Sequence, residues 1–199
     1  MKAMNWKSLL FVLAIAYGAY QHFHHRPVIQ SPGITAPDTP VQNTPHGTTS
    51  FTLKGYQLTP LADFAIEARV LSVKRYSLGR EADLSPVDLA LGWGPMSDES
   101  VLKRIDISQG NRFYFWHVDE FFIPREEIEI NSANMHMIPA DSEVEKSLDS
   151  IREGQVVRLQ GYLVEASASD GWKWRSSLSR ADTGNGACEV IYVKTISVN

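Results

Sequence analysis

Residues 142–166, SEVEKSLDSIREGQVVRLQGYLVEA, take the chain from a helix into a strand. Ser142 followed three residues later by Glu145 has the form of a capping box, with Ser142 as N-cap. Val144, Leu148 and Ile151 recur at helical spacing, so this helix has one apolar face. Gly154 is suited to end it. Beyond Gly154 the period changes to two. Val157, Leu159, Gly161 and Leu163 share one face of a strand over 155–166, and Gly161 sits where a sheet could bend sharply. A helix with one apolar face, leading at once into a strand, predicts a sheet with that helix packed on it.

Working outward, Asp170-Gly171 signals a hairpin turn. Trp172, Trp174 and Ser176 then alternate with Lys173 and Arg175, and CEVIYVKTIS, residues 188–197, reads as a last strand. Upstream, NMHMI (134–138), RFYFWHV (112–118) and ADFAIEARVLSVKRY (62–76) are strand candidates, rich in apolar, aromatic and β-branched residues. Residues 77–111 read as a helical insertion. Ser85 is placed as an N-cap, with Pro86 at the first helical position and acidic Asp88 soon after. Gly92 ends that short helix, and Ser97 caps a second one carrying Val101, Leu102 and Ile105. The predicted fold class is mainly β with α. Three strands, a helix, then two strands resembles the order of an OB-type small barrel over roughly residues 60–198. A curved antiparallel sheet packed on one capping helix is the alternative.

The start of the chain differs in kind. In MKAMNWKSLLFVLAIAYGAYQHF, residues 1–23, Lys2 and Lys7 precede Leu9–Tyr20, which has no charged side chain. Residues 1–25 therefore read as a membrane anchor or a signal segment. Trp6, Tyr17, Tyr20 and Phe23 are placed as an aromatic belt. The two lysines predict that the N-terminus stays in the cytoplasm. HFHH, residues 22–25, reads as histidines at the membrane exit. Residues 26–50 hold five of the ten prolines and no aromatic residue, so an extended, mobile linker is expected. The globular domain is expected over 51–199.

The phrases DLSPVDLALGWGPMSD, SANMHMIPAD and DTGNGACEVIYV resemble those of an uncharacterised family of bacterial membrane-anchored proteins. That resemblance implies an inner-membrane, single-pass location with the domain in the periplasm or outside the cell, and implies no activity. Residues 51–199 carry 16 basic against 22 acidic side chains with no basic run, which argues against nucleic acid as a partner. A single cysteine, Cys188, excludes an intrachain disulfide and the usual zinc-type cysteine pairs.

Four groups of residues invite a chemical reading. Met135-His136-Met137 looks like a soft-metal set, but neighbours on a strand point to opposite faces, so one ion cannot collect all three. No metal and no cofactor is expected. His136 with Asp141, Asp182 or Cys188 would be the minimum for a small envelope hydrolase, which needs a base in reach of its partners. Asp182-Thr183-Gly184 matches the aspartic-peptidase triplet in letters only, since Ser179-Arg180-Ala181 before it is not an apolar strand. Trp93, Trp172, Trp174 and Arg175 are the expected ligand-binding surface, because aromatic faces beside a cation suit a peptide or a sugar. The function expected first is therefore a membrane-anchored, envelope-facing binding or scaffold protein with a protein or glycan partner. The hydrolase is the alternative.

Overall fold

The computed structural model describes residues 5–24, 26–47, 49–179 and 187–199. Helix α1, Trp6–His24, comes first; no helix among the described residues is long and apolar enough to cross a membrane. Strands β1 (Val41–Asn43) and β2 (Phe51–Leu53) precede the long β3 (Tyr56–Arg75). A short α2 (Arg80–Leu84) leads into β4 (Val87–Gly92). A 3-10 turn at Gly94–Ser97 and α3 (Glu99–Leu102) are followed by the hairpin β5 (Asp106–Gly110) and β6 (Phe113–His117). Then come α4 (Arg125–Ile130), β7 (Ser132–Pro139), α5 (Ser142–Ser150), β8 (Val156–Ser167), β9 (Lys173–Arg175) and β10 (Glu189–Val198).

One sheet contains all strands except β5 and β6, and its path returns on itself. β3 pairs with β8 over Gln57–Arg69 and with β4 over Arg69–Arg75, so its two halves bond to different partners. β4 pairs with β7, β7 runs parallel to β10, and β10 pairs with β8. The result is a ring, β3–β4–β7–β10–β8–β3. Alternate residues of each strand point inward: Phe64, Ile66, Leu89, Met135, Leu159 and Ile191 are all buried there. Helix α5 adds Val144, Leu148 and Ile151 to the same core, the face that its sequence spacing predicts. Gly161 on β8 lies close against β10. A methyl group there would meet the Tyr192 carbonyl oxygen at 1.9 Å.

Three sequence expectations are corrected. The cap of α5 is Asp141, not Ser142; its carboxylate accepts from the Glu143 and Val144 amides, each at 2.9 Å. Residues 87–92 form the central strand β4, not a helix, and all six are buried. Two covered faces hide the polar alternation that marks a strand. RFYFWHV is a strand but stands outside the ring, paired only with β5 among the described residues.

The proline-rich stretch also departs from a mobile linker. Ala36 is fully buried. The amides of Thr35 and Ala36 both donate to Ser97 Oγ, and the Gly33 amide donates to Asp98. Ser97 therefore anchors this segment instead of capping a helix; Asp98 is the N-cap of α3. Val28 bonds to the Glu153 carbonyl, and β1 lies along β3. Low apolar content predicted mobility, but backbone groups finding fixed partners hold the segment down.

Candidate functional site: a buried ion cluster and an aromatic cleft

The ring's outer face at β4 and β7 is covered by the chain's own insertion. Leu71, Ala90, Met96, Ile105 and Ile128 form a second cluster beneath the inner face of the β5–β6 hairpin. Polar residues of the ring strands are buried there as well. Asp88 on β4 and His136 on β7 are register partners, with Nδ1 of His136 3.0 Å from Asp88 Oδ1. The two atoms approach without hydrogen-bond alignment. The same oxygen accepts from Arg112 Nη1 at 2.6 Å, and that nitrogen also donates to the Ser85 carbonyl.

Arg112 occupies the tip of the hairpin. Asn111 and Arg112 both have positive φ, 51° and 68°, as a two-residue primed turn requires. Asparagine tolerates this conformation; arginine adopts it at a cost. The cost is offset by anchoring. The guanidinium lies 3.7 Å from the Tyr76 ring centroid, and the Arg112 amide donates to the Tyr76 hydroxyl. Burial raises the Tyr76 phenol above its usual value, and the Asp88 carboxylate adds to that rise.

His136 is thus 2% exposed, with its ring 4.7 Å from that of Trp174. It makes no hydrogen bond or ion pair with Asp141 or Cys188. Asp141 is committed to capping α5. The Cys188 thiol is half-buried near the Arg112 carbonyl and the Asn134 amide, at 3.7 and 3.8 Å. Asp182 lies outside the described residues. Met135 and Met137 enter the ring's interior while His136 takes the opposite face, as strand alternation requires.

The expected tryptophan surface is not assembled as one site. Trp93 is 1% exposed and belongs to the ring's interior core. Trp172 and Trp174 neighbour one another on the opposite side of the sheet, but their rings are already engaged. Trp172 meets Tyr56 edge-on and carries the Arg80 guanidinium, while Trp174 packs on His136 and Arg112. Arg175 is bound to Glu165 at 2.8 Å, which holds the Glu165 carboxyl below its ordinary value.

A different aromatic surface is open. A cleft of about 480 Å³ runs along β6, and the six consecutive residues 113–118 form one wall of it. The other wall is made by Ser132, Ala133 and Asn134 at the start of β7, with Cys188 and Glu189 beyond. Phe115 and Phe121 at its rim are 55% and 51% exposed. Trp116 is braced by the edge of Phe121 and by Arg125, itself paired with Glu129. Tyr114 reaches the floor, where its hydroxyl meets Ser132 Oγ at 3.1 Å and burial pushes its pKa up to about 12. The aromatic content of RFYFWHV was visible in the sequence. Its place on a separate hairpin was not, because that depends on β4 taking the ring position.

Comparison of the chain with protein-family models, with characterised proteins and with solved structures found no match.

Proposed function

We propose that this chain is a non-catalytic binding protein, held at a membrane by α1, which captures a protein partner in the cleft beside β6. The carrying observation is the pair Phe115 and Phe121, both more than half exposed at the rim of a cleft large enough for a ligand. Clustered exposed aromatics are a feature of recognition surfaces rather than of inert ones. A glycan reading rested on Trp172 and Trp174, whose faces are already occupied by Arg80, His136 and Arg112. A hydrolase would need His136 to reach a substrate, and the ring is buried under Trp174.

The ring supports an OB-type barrel reading. Its first strand pairs with the second and the fourth, its third and fifth strands run parallel, and the helix falls between the third and fourth. For the membrane, support comes from α1, which exposes Trp6, Leu9, Leu10, Phe11, Leu13 and Ile15. Such a helix is suited to lipid. In this reading the domain lies on the periplasmic or outer side of a bacterial inner membrane.

The test is photo-crosslinking in cells with benzoylphenylalanine at position 115, and at Val198 as an exposed control. Discrete adducts from position 115 alone are expected. Equal labelling from both positions, or none, would remove the reading. Vesicle flotation checks α1: the full chain should float, and a variant lacking residues 1–25 should not.

A further inference from the structure

β6 has a free edge. Gly110 and Phe113 flank the two-residue turn, and the register continues through Ser108–Phe115 and Asp106–His117. These are the pairs that exchange hydrogen bonds in such a hairpin. Tyr114 and Trp116 between them turn their N–H and C=O groups to the opposite side. Those backbone groups have no hydrogen-bond partner among the described residues. Residues 113–118 line the cleft while no residue of β5 does, so this free edge is the edge that faces it. Across the cleft, β7 is paired with β10 only from Met135 onward, so Ser132–Asn134 lack a strand on that side among the described residues.

We infer that the cleft takes an extended segment of a partner protein, added as a strand to the free edge of β6. The inference rests on the binding reading above and specifies how the partner is held. A strand edge presents a row of alternating donors and acceptors, and an extended peptide backbone satisfies that pattern. The span from Tyr114 to Trp116 fits about three to four partner residues at roughly 3.3 Å each. Alternate side chains of the added strand then fall on the two faces of the hairpin. One set meets Phe113 and Phe115, and the other points inward, toward Ala133. Apolar residues at every second position are therefore the partner's expected signature.

The experiment selects peptides from a random heptapeptide library on the full-length chain, then N-methylates each amide of a selected peptide in turn. Strand addition predicts an alternating pattern. Methyl groups on amides facing β6 weaken binding about tenfold or more, and those on the intervening amides are tolerated. Phe115→Asp, at an exposed position that should not alter folding, abolishes binding, and the amides of Tyr114 and Trp116 become protected from hydrogen exchange. Loss with Phe115→Asp but no alternation would keep the cleft and overturn strand addition. Absence of any enriched peptide, or binding indifferent to Phe115→Asp, would overturn the cleft reading and this inference together. A concentration-dependent dimer of the full chain, dissolved by Phe115→Asp, would make the occupant a second copy and overturn the partner-peptide assignment.

Discussion

Removing Asp88 tests whether the buried cluster holds the hairpin in place. The carboxylate is fully buried and balances Arg112, whose side chain is 18% exposed, beside His136 at 3%. Breaking a buried ion pair by deleting one partner costs about 3–5 kcal/mol, because the remaining charge is stranded. Arg112 keeps some contact with water, the Ser85 carbonyl and the Tyr76 ring, so Asp88→Ala should fall near the lower end, about 3 kcal/mol. In a chain of this size each kcal/mol lowers Tm by roughly 2–4 °C, which gives a loss of about 6–12 °C. The assay is thermal unfolding of the full chain followed by circular dichroism. Arg112→Met removes the stranded charge. The double variant Asp88→Ala/Arg112→Met should therefore lose less than the sum of the single changes. An Asp88→Ala Tm within about 2 °C of the parent, or strict additivity, would refute the assignment of Asp88 as the anchor.

Three further perturbations probe other parts of the same frame. Gly161→Ala places a methyl group against the Tyr192 carbonyl oxygen and should cost about 3 kcal/mol in a denaturant melt, since two paired backbones must separate. Alkaline titration followed by phenolate absorbance should show Tyr114 resisting ionisation to about 12. An unfolded tyrosine releases its proton near 10, so stability is complete below that and falls as pH rises from about 10 through 12. At the acid end, hydrogen bonds from the Gly33 amide and then from Ser100 hold the Asp98 carboxyl below its ordinary value. Its contribution is present above the unfolded value of about 3.9 and is lost as pH falls through the depressed one, so the Gly33 amide chemical shift should move only below that range.

β8, with polar residues alternating on one face, was legible, and β4, buried throughout, was not. β8 shows its interior face as Val157, Leu159 and Leu163 with polar residues between, and Asp170-Gly171 marks the hairpin that follows. In β4, Ser85-Pro86 and Asp88 imitate a helix start, while Val87, Leu89 and Leu91 carry the period of two that the fold uses. Only pairing with β3 and β7 decides between the two readings, and that pairing is tertiary. Misplacing β4 concealed the register partnership of Asp88 and His136. It also left Arg112 unremarked, although an asparagine–arginine pair is an unusual choice for a turn with positive φ at both residues. The anchoring of residues 28–36 was invisible for another reason: it rests on scattered hydrogen bonds to Ser97, Asp98 and Glu153, which leave no compositional trace.

Arg112 links the two halves of the site. A two-stranded hairpin is marginal by itself, and β5–β6 pairs with no other strand among the described residues. Apolar contact through Ile107, Tyr114 and Trp116 holds it on the ring but specifies its position weakly, since such contact has little directionality. The guanidinium supplies direction. Asp88, the Ser85 carbonyl and the Tyr76 ring together fix its position and plane, and the positive φ at Arg112 confines the turn that carries it. The free edge of β6 begins two residues on, at Tyr114. A buried ion cluster adds less stability than a well-packed apolar one would. Its presence at this point is explained if the exact placement of that edge, rather than the stability of the ring, is what the cluster serves. An apolar replacement of Asp88 and Arg112 together should then keep the fold while blurring the N-methylation pattern of a bound strand.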